Sequence, residues 1–595
     1  MLPDFPADSA LARLLRQDAA REEIIWFSLP GGRTLFRQGD TPDQLYFLRT
    51  GRLGAFRKEP GQETQFLGVI RPGEPAGEMA LIADVPHSAD VTALRDSEIF
   101  AIPRDAFFAA CERDPAVMTD LARLMILRNR QEKREGPVGV PSVFGFVPVG
   151  RPGAIRPVVE RLARAVADLG YAVTTVGPEA VSAPTEWFSD VERAHDFVLY
   201  VSDAAEGGWA ATVPRQVDRL FLVGRGDRPA PAGPVRALGA EALDAQELTD
   251  LILLQPAGLQ RPAGSEAWLM ATQAARLFHL RRGGETGYRR LARVLTGQSV
   301  GLVLSGGGAR AYAHVGAVRA LRERGVPIDF VGGVSMGAIV GAGVAMGWGD
   351  AEMDRRLHEA FVDTSPLDDI ALPLLAMTHG QKVSDRLAQH FGDTEIADLW
   401  LPFFCLSSNL TTGSYQLHRR GLLRHALRAT ISLPGVLPPA TDGQNVLVDG
   451  AVMKNFPADV MRAAQLGPIV GVDVTGSRSI TAADVARPSS VWRWLRSGQW
   501  RLGPPIVSLL MRSATVSTGR DLAAAREATD VLVQPDVSRI EIRDFGAYDT
   551  AVEAGYRATL QALDGLSRPV TDLRRRAALG EAAAPSKAAQ PAAAE

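Results

Sequence analysis

Gly301-Leu302-Val303-Leu304-Ser305-Gly306-Gly307-Gly308-Ala309-Arg310 is an apolar run that opens onto three consecutive glycines, and a helical pattern follows from Ala311 to Arg324. Three bare glycines let backbone N–H groups turn toward a small anion beside a helix N-terminus, so the stretch predicts a strand, an anion-binding turn and a helix of an α/β fold. Two chemistries fit it. Gly306-x-Gly308-x-x-Ala311 satisfies the dinucleotide fingerprint G-x-G-x-x-G/A, which expects an acid at the end of the next strand. Asp329 stands instead at the start of that strand, Asp329 to Val334. The other chemistry is an oxyanion pocket for acyl transfer.

The second strand ends in Gly333-Val334-Ser335-Met336-Gly337, a G-x-S-x-G nucleophile elbow in the strand, turn and helix context that the motif requires. Gly333 and Gly337 permit the sharp turn that exposes the Ser335 hydroxyl. Acyl transfer needs a nucleophile and donors for the developing oxyanion, and the two motifs lie one strand apart. The serine also needs a base. Of the nine histidines His425 is the last, and the apolar run Asn445-Val446-Leu447-Val448 into Asp449-Gly450 lies beyond it. The α/β-hydrolase order Ser, Asp, His therefore cannot use Asp449. It would need an earlier acid with His418 or His425, whose neighbours Arg419, Arg420 and Arg424 suggest a solvated face. The simpler arrangement is a Ser335/Asp449 dyad in which the carboxylate itself takes the serine proton. Without the upstream motifs, Asp449-Gly450 would read as an ordinary β-turn.

The chain has 595 residues, 46% hydrophobic and 22% charged, which predicts a globular chain of about three or four domains. Lys plus Arg is 65 and Asp plus Glu is 68, a net charge of −3 that gives no overall field for nucleic acid or an anionic membrane. Cys111 and Cys405 have no partner spacing for a disulfide framework or a zinc site, so neither metal nor cofactor is expected. The N-terminus lacks the order of a secretory signal, and a reducing cytoplasm fits. The uncharged run Phe330 to Gly349 is long enough to span a bilayer, but with seven glycines and no leucine it reads as a strand, a turn and a buried helix.

Short apolar runs separated by Gly31-Gly32, Gly39-Asp40, Thr50-Gly51, Pro60-Gly61 and Pro72-Gly73 predict a β-barrel over 1–135, closed by a helix from about Asp105 to Arg134. Residues 131–137 read as a linker. Over 143–262, runs at Val143 to Val149, Tyr171 to Val176, Phe197 to Val201 and Arg219 to Val223 alternate with helical patterns such as Ile155 to Leu169. They predict an α/β domain whose turns hold no glycine-rich phosphate loop. A helical connector over 263–298 leads to the α/β region 299–576, and an Ala/Pro/Glu tail, 577–595, is expected to be disordered.

Region 299–570 resembles the patatin-like phospholipases. The matching blocks are Gly306-Gly307-Gly308-Ala309-Arg310 with His314 and Gly316, the elbow at Ser335, Ser432 to Pro439, Asp449-Gly450-Ala451 and Asn455-Phe456-Pro457. The resemblance implies that Gly306, Gly307, Gly308 and Arg310 form the oxyanion loop, that Ser335 is the nucleophile and Asp449 the base; His314 reads as a packed helix residue. The N-terminal barrel resembles cyclic-nucleotide-binding domains through Phe36 to Asp40, Tyr46 to Gly51 and Gly77 to Leu81. There the resemblance implies that Gly77 and Glu78 meet a ribose and that an arginine neutralises the cyclic phosphate. Here His87 stands for that arginine with Asp90 nearby, so a degenerate pocket with weak or lost nucleotide binding is expected.

The domain order resembles the neuropathy-target-esterase-like lysophospholipases, as does the lead-in Arg290 to Gly297. The expected fold class is multidomain: an N-terminal cyclic-nucleotide-binding-like β-barrel, a middle α/β domain and a C-terminal α/β patatin-like hydrolase domain. The expected function is a serine acyl hydrolase of lysophospholipids or phospholipids. The competing readings are a dinucleotide or anion module at Gly306 to Gly308 and a non-catalytic scaffold. Members of the group often carry an N-terminal membrane anchor, which this chain is read as lacking. The expectation is therefore a cytoplasmic protein with peripheral contact at the inner membrane face. Val491 to Arg501, with Trp492, Trp494 and Trp500 among three arginines, is the segment expected to make that contact.

Overall fold

The computed structural model describes residues 23–58, 65–70, 72–123, 125, 141–151, 153–183, 185–205, 207–235, 248–363, 369, 371, 376–475 and 519–575. They divide into two compact units, the first within Met1–Leu254 and Trp268–Thr296, the second within Gln255–Ala267 and Gly297–Arg575.

The first unit begins with a six-stranded antiparallel barrel built around two 14-residue strands, Gln44–Arg57 and Asp90–Pro103. Register shifts along their pairing bend them, as bulges do, so that each strand serves two parts of the barrel. Leu45, Phe47, Phe100 and Ile102 are buried against Phe107 and Ala110 of the helix Arg104–Arg113. The single closing helix expected to Arg134 stops here, because Pro115 pushes Asp114 into an extended conformation (φ −135°, ψ 92°). A second helical stretch covers 116–123.

The middle sheet has six strands in the order Arg276–Arg281, Thr249–Gln255, Arg219–Arg225, Val143–Pro148, Phe197–Val201, Val173–Val176. Thr249–Gln255, Val143–Pro148 and Phe197–Val201 are buried along their whole length and Arg219–Arg225 everywhere but at its two terminal arginines, as parallel strands covered on both faces are. The expected helical connector 263–298 is corrected here: Arg276–Arg281 is a strand at the edge of this sheet, between the helices Ser265–Thr272 and Thr286–Thr296. An arginine at each end hides the strand in the sequence. Arg276 is held by two bonds to the buried carboxylate of Asp250, which also takes Arg219. Barrel and middle sheet are joined by charge: Arg52 pairs with Asp218 and donates to Ser142 Oγ at 2.9 Å, and the buried Arg95 pairs with Glu192.

The second unit is built on an eight-stranded sheet. Five parallel strands form its centre, in the order Phe403–Asn409, Phe330–Val334, Gly301–Leu304, Ile469–Val472, Val531–Val533. Asn445–Asp449 and Ser414–His418 pair antiparallel with Phe403–Asn409. The uncharged run divides as expected into the strand Phe330–Val334 and the buried helix Met336–Met346. Among the described residues no helix is long and apolar enough to cross a membrane.

Candidate active site

Ser335 sits between the strand Phe330–Val334 and the helix Met336–Met346 with φ 52° and ψ −130°, a left-handed conformation that a side chain rarely adopts. The flanking glycines make it attainable. A Cβ on Gly337 would lie 2.4 Å from Ser305 O, and one on Gly333 would lie 2.8 Å from Ala338 N, so the turn closes only over bare backbone. The Ser335 N–H donates to Thr430 Oγ1 at 2.9 Å, and the Thr430 hydroxyl donates in turn to Leu406 O. Thr430 thus pins the strained residue from outside the motif.

Strand register delivers the partner. Ser414–His418 lies along the edge of Phe403–Asn409 opposite to the one holding Phe330–Val334, because Cys405 and Leu406 pair with both. Ser407 to Asn409 pair with both Ser414–His418 and Asn445–Asp449, so Asn445–Asp449 shares the edge of Phe330–Val334. The two strands run toward each other along that edge. One ends at Val334 opposite Leu406, the other at Asp449 opposite Ser407, and Ser335 is brought against Asp449.

Ser335 Oγ donates to Asp449 Oδ2 at 2.6 Å, while Asp449 Oδ1 accepts from the Ala451 N–H at 2.9 Å. Asp449 is 2% exposed and Ser335 8%. Burial pushes the Asp449 carboxyl up to about 6, against the lowering effect of its two hydrogen bonds. The Ser408 hydroxyl donates to Asp449 O at 2.9 Å and accepts from Met453 N at 3.0 Å, fixing the turn that follows. His418 bonds Ser407 Oγ at 2.8 Å, and burial lowers it to about 4. His314 is fully buried, donates Nε2 to Ser305 O at 2.8 Å and is also lowered to about 4, in keeping with a packed helix residue. Neither bonds Ser335.

The glycine loop lies beside the nucleophile: a Cβ on Gly306 would be 3.1 Å from Ser335 Cβ. Two members of the expected oxyanion set change role. The Gly306 N–H donates to Asn455 Oδ1 at 3.0 Å and is not free for an oxyanion. Arg310 donates Nε to Ile540 O at 2.6 Å and ties the loop to a neighbouring segment. Ala309 N–H goes to Ile542 O at 2.8 Å, and Gly308 (φ 57°) is so close that a Cβ there would lie 2.3 Å from that carbonyl. Among the described residues, the N–H groups of Gly307 and Gly308 have no protein acceptor. The contact at Ile542 also covers the start of the helix where a pyrophosphate would have to approach, which counts against the dinucleotide reading.

Asn455, Thr430 and Ser408 are the site residues that sequence reasoning missed as such. Asn455 stood inside a recognised block, but its bonds to a glycine 149 positions earlier leave no trace in spacing. Among the described residues no group of three His, Cys, Asp or Glu side chains is placed to hold a metal ion. Val491 to Arg501 and the tail 577–595 lie outside the described residues.

In the barrel, Glu78 is buried at the start of the helix Glu78–Ala83, directly after Gly77 (φ 82°). His87 is 5% exposed and stacks on Phe36 with ring centres 3.8 Å apart, and a Cβ on Gly77 would lie 3.0 Å from its ring. Burial lowers its pKa despite Asp40 and Asp43, so the ring over Gly77 is neutral. Asp90 accepts from Gln38 N and pairs with Lys58.

A glycine loop, an elbow serine and a buried aspartate at the meeting ends of these strands define a patatin-like lipid ester hydrolase. The family model described as patatin-like phospholipase matches residues 302–462, that of the cyclic nucleotide-binding domain 26–114, and that of the neuropathy target esterase family P-loop like domain 180–287. An uncharacterized NTE family protein of Mycobacterium tuberculosis (strain CDC 1551 / Oshkosh) is 32% identical over 91% of this chain and 92% of its own length, and the chain belongs to the NTE family. Human patatin-like phospholipase domain-containing protein 6 is 28% identical over 92% of this chain and 45% of its own. The lysophospholipase NTE1 of Mycosarcoma maydis is 27% identical over 91% and 34%. The chain thus spans less than half the length of these two relatives.

Proposed function

We propose that this protein hydrolyses the carboxylic ester of lysophospholipids through an acyl-enzyme on Ser335, with Asp449 as the base. The observation that carries the reading is the 2.6 Å bond from Ser335 Oγ to a buried carboxylate with its pKa pushed up to about 6. A carboxylate of ordinary acidity is a poor acceptor for a serine proton, and burial makes this one more basic. Ser335 Oγ attacks the ester carbonyl carbon as its proton passes to Asp449. The oxyanion forms toward the N–H groups of Gly307 and Gly308. Collapse breaks the ester bond, and Asp449 returns the proton to the departing glycerol oxygen. Water then attacks the acyl-enzyme, giving its proton to Asp449, and fatty acid leaves as Ser335 is reprotonated. The fungal relative's name, a lysophospholipase, supports a single-chain lipid as the substrate.

The test is chemical and kinetic. A fluorophosphonate probe should label wild-type protein on Ser335. kcat/KM for lysophosphatidylcholine should rise with pH through about 6 and level off above it, because Asp449 must be ionised to accept the proton. Labelling elsewhere, or a rate that falls as pH rises through that range, would rule the dyad out.

The barrel reads as a docking module and not a nucleotide sensor. The neutral His87 on Phe36 occupies the place over Gly77, and Arg52 and Arg95 bind the middle domain. Calorimetry with cAMP and cGMP should find wild-type binding weaker than micromolar. His87→Arg should tighten it about ten- to a hundredfold, the worth of one charge-assisted hydrogen bond. Micromolar binding by the wild type would overturn this.

A further inference from the structure

Asn455 uses every polar atom of its side chain. Oδ1 accepts from the Gly306 N–H at 3.0 Å, and Nδ2 donates both to Gly306 O at 3.2 Å and to Thr475 Oγ1 at 3.0 Å. The amide orientation is thereby determined, since a flipped amide would set oxygen against Gly306 O and nitrogen against the Gly306 N–H. Gripping the C=O of Gly306 has a consequence for the next residue. That carbonyl and the Gly307 N–H belong to one planar peptide unit, and no peptide bond here is cis, so the two point in opposite directions. Fixing Gly306 O on Asn455 therefore fixes the direction of the Gly307 N–H on the other side of the loop.

Nothing intrinsic to the loop would hold that direction. Gly307 is extended (φ −176°) and Gly308 left-handed, and glycines rotate with little steric penalty. The loop is anchored further along by Ala309 N–H on Ile542 O and Arg310 Nε on Ile540 O, which leaves the Gly306–Gly307 peptide as the part without another constraint. Asn455 itself arrives from the base: the chain leaves Asp449 through the short 3-10 turn Gly450–Val452 and reaches Asn455 three residues later. One short segment thus carries both the residue that takes the serine proton and the residue that sets the oxyanion donor.

We infer that Asn455 is a positioning residue for the oxyanion hole: by clamping both polar groups of Gly306 it aims the Gly307 N–H at the oxygen that becomes negative when Ser335 attacks. The inference rests on Ser335 as nucleophile and adds a part of the machinery that acts only in the transition state. Binding of the ground-state ester should therefore be nearly independent of Asn455, and the chemical step should not.

Asn455→Asp is the discriminating variant. It keeps the size of the side chain and the acceptor for the Gly306 N–H, but sets an oxygen against Gly306 O in place of a donor. Asn455→Ala removes both side-chain bonds to Gly306 and leaves only the long 3.4 Å contact of the Gly306 N–H with the Asn455 backbone carbonyl. With lysophosphatidylcholine, both variants should lower kcat about ten- to a hundredfold, less than the direct loss of an oxyanion donor, while KM changes little. Their affinity for a long-chain trifluoromethyl ketone, which forms an anionic hemiketal with the serine, should fall in parallel with kcat/KM. Asn455→Ser, which keeps a hydroxyl able to donate, should recover part of the rate. The inference is overturned if Asn455→Asp, with an unchanged melting temperature, keeps wild-type kcat and ketone affinity. The N–H of Met336 at the start of the nucleophile helix, which has no acceptor among the described residues, would then be the better oxyanion donor. It is equally overturned if kcat, KM and melting temperature all shift together, which is the signature of a packing role. Failure of the wild type itself to label on Ser335 would instead remove the reading of the site on which the inference stands.

Discussion

Ser335→Ala and Asp449→Ala should each lower kcat on lysophosphatidylcholine by about 10⁴-fold or more, with the double variant little worse than either single, as for groups that act as one unit in other serine hydrolases. The geometry explains why the losses should not add. Among the described residues Ser335 Oγ bonds Asp449 Oδ2 alone, at 2.6 Å, and the carboxylate's other oxygen is held by the Ala451 N–H, so on the proposed mechanism removing this carboxylate leaves the serine a weakly nucleophilic alcohol. Among the described residues no histidine is bonded to Ser335 or Asp449. His314 and His418 are bonded to Ser305 O and Ser407 Oγ, and both are held neutral by burial. Residual turnover in the single variants should come from the oxyanion donors and substrate positioning alone. If Asp449→Ala keeps most of its activity while His418→Ala or His425→Ala loses it, the proton goes elsewhere and the dyad is wrong. Melting curves for the variants guard against mistaking unfolding for lost chemistry.

The parts of this site that the sequence disclosed are those that local backbone chemistry demands. Gly333 and Gly337 flank Ser335 because a Cβ at either would strike the backbone, and at Gly306, Gly307 and Gly308 a Cβ would strike Asn455 Oδ1, Val474 Cγ2 and Ile542 O respectively. Such constraints demand glycine itself, whichever segment supplies the contact, and so leave a readable signature. The expected base was legible for a different reason, since the last histidine precedes Asp449 and so limits the choice. The engagement of Gly306 by Asn455 was not legible. A hydrogen bond between residues 149 positions apart depends on how the strands Asn445–Asp449 and Phe330–Val334 meet, which is a property of register. The strand Arg276–Arg281 was missed because its charged ends suppress the apolar run by which the other middle-domain strands were found, and the buried Asp250 that compensates them lies 26 residues away. The barrel's closing helix is shorter than its helical pattern suggests because Asp114-Pro115 interrupts the backbone while the apolar spacing continues past it.

Asp449→Asn should abolish activity to a similar degree and yet stabilise the fold at neutral and alkaline pH. A carboxyl with a folded pKa of about 6 against an ordinary 3.8 favours its protonated form in the folded state. The stability this group contributes is fully present below 3.8 and is lost as pH rises through 6; above that, ionisation in the buried site costs ~3 kcal/mol relative to an ordinary aspartate. Asparagine has the same shape and cannot ionise. Its oxygen can take the Ala451 N–H and its nitrogen can donate to Ser335 Oγ, so both contacts survive without the charge. The melting temperature of the variant should therefore exceed that of the wild type at about pH 8, and the gap should close as the pH is lowered toward 4. Equal melting temperatures across that range would mean that the carboxylate is not held under strain and would remove the physical basis for its acting as a base. A gain in stability with a loss of turnover is the expected mark of a charge kept buried for chemistry, since selection for a compact core alone would have replaced it.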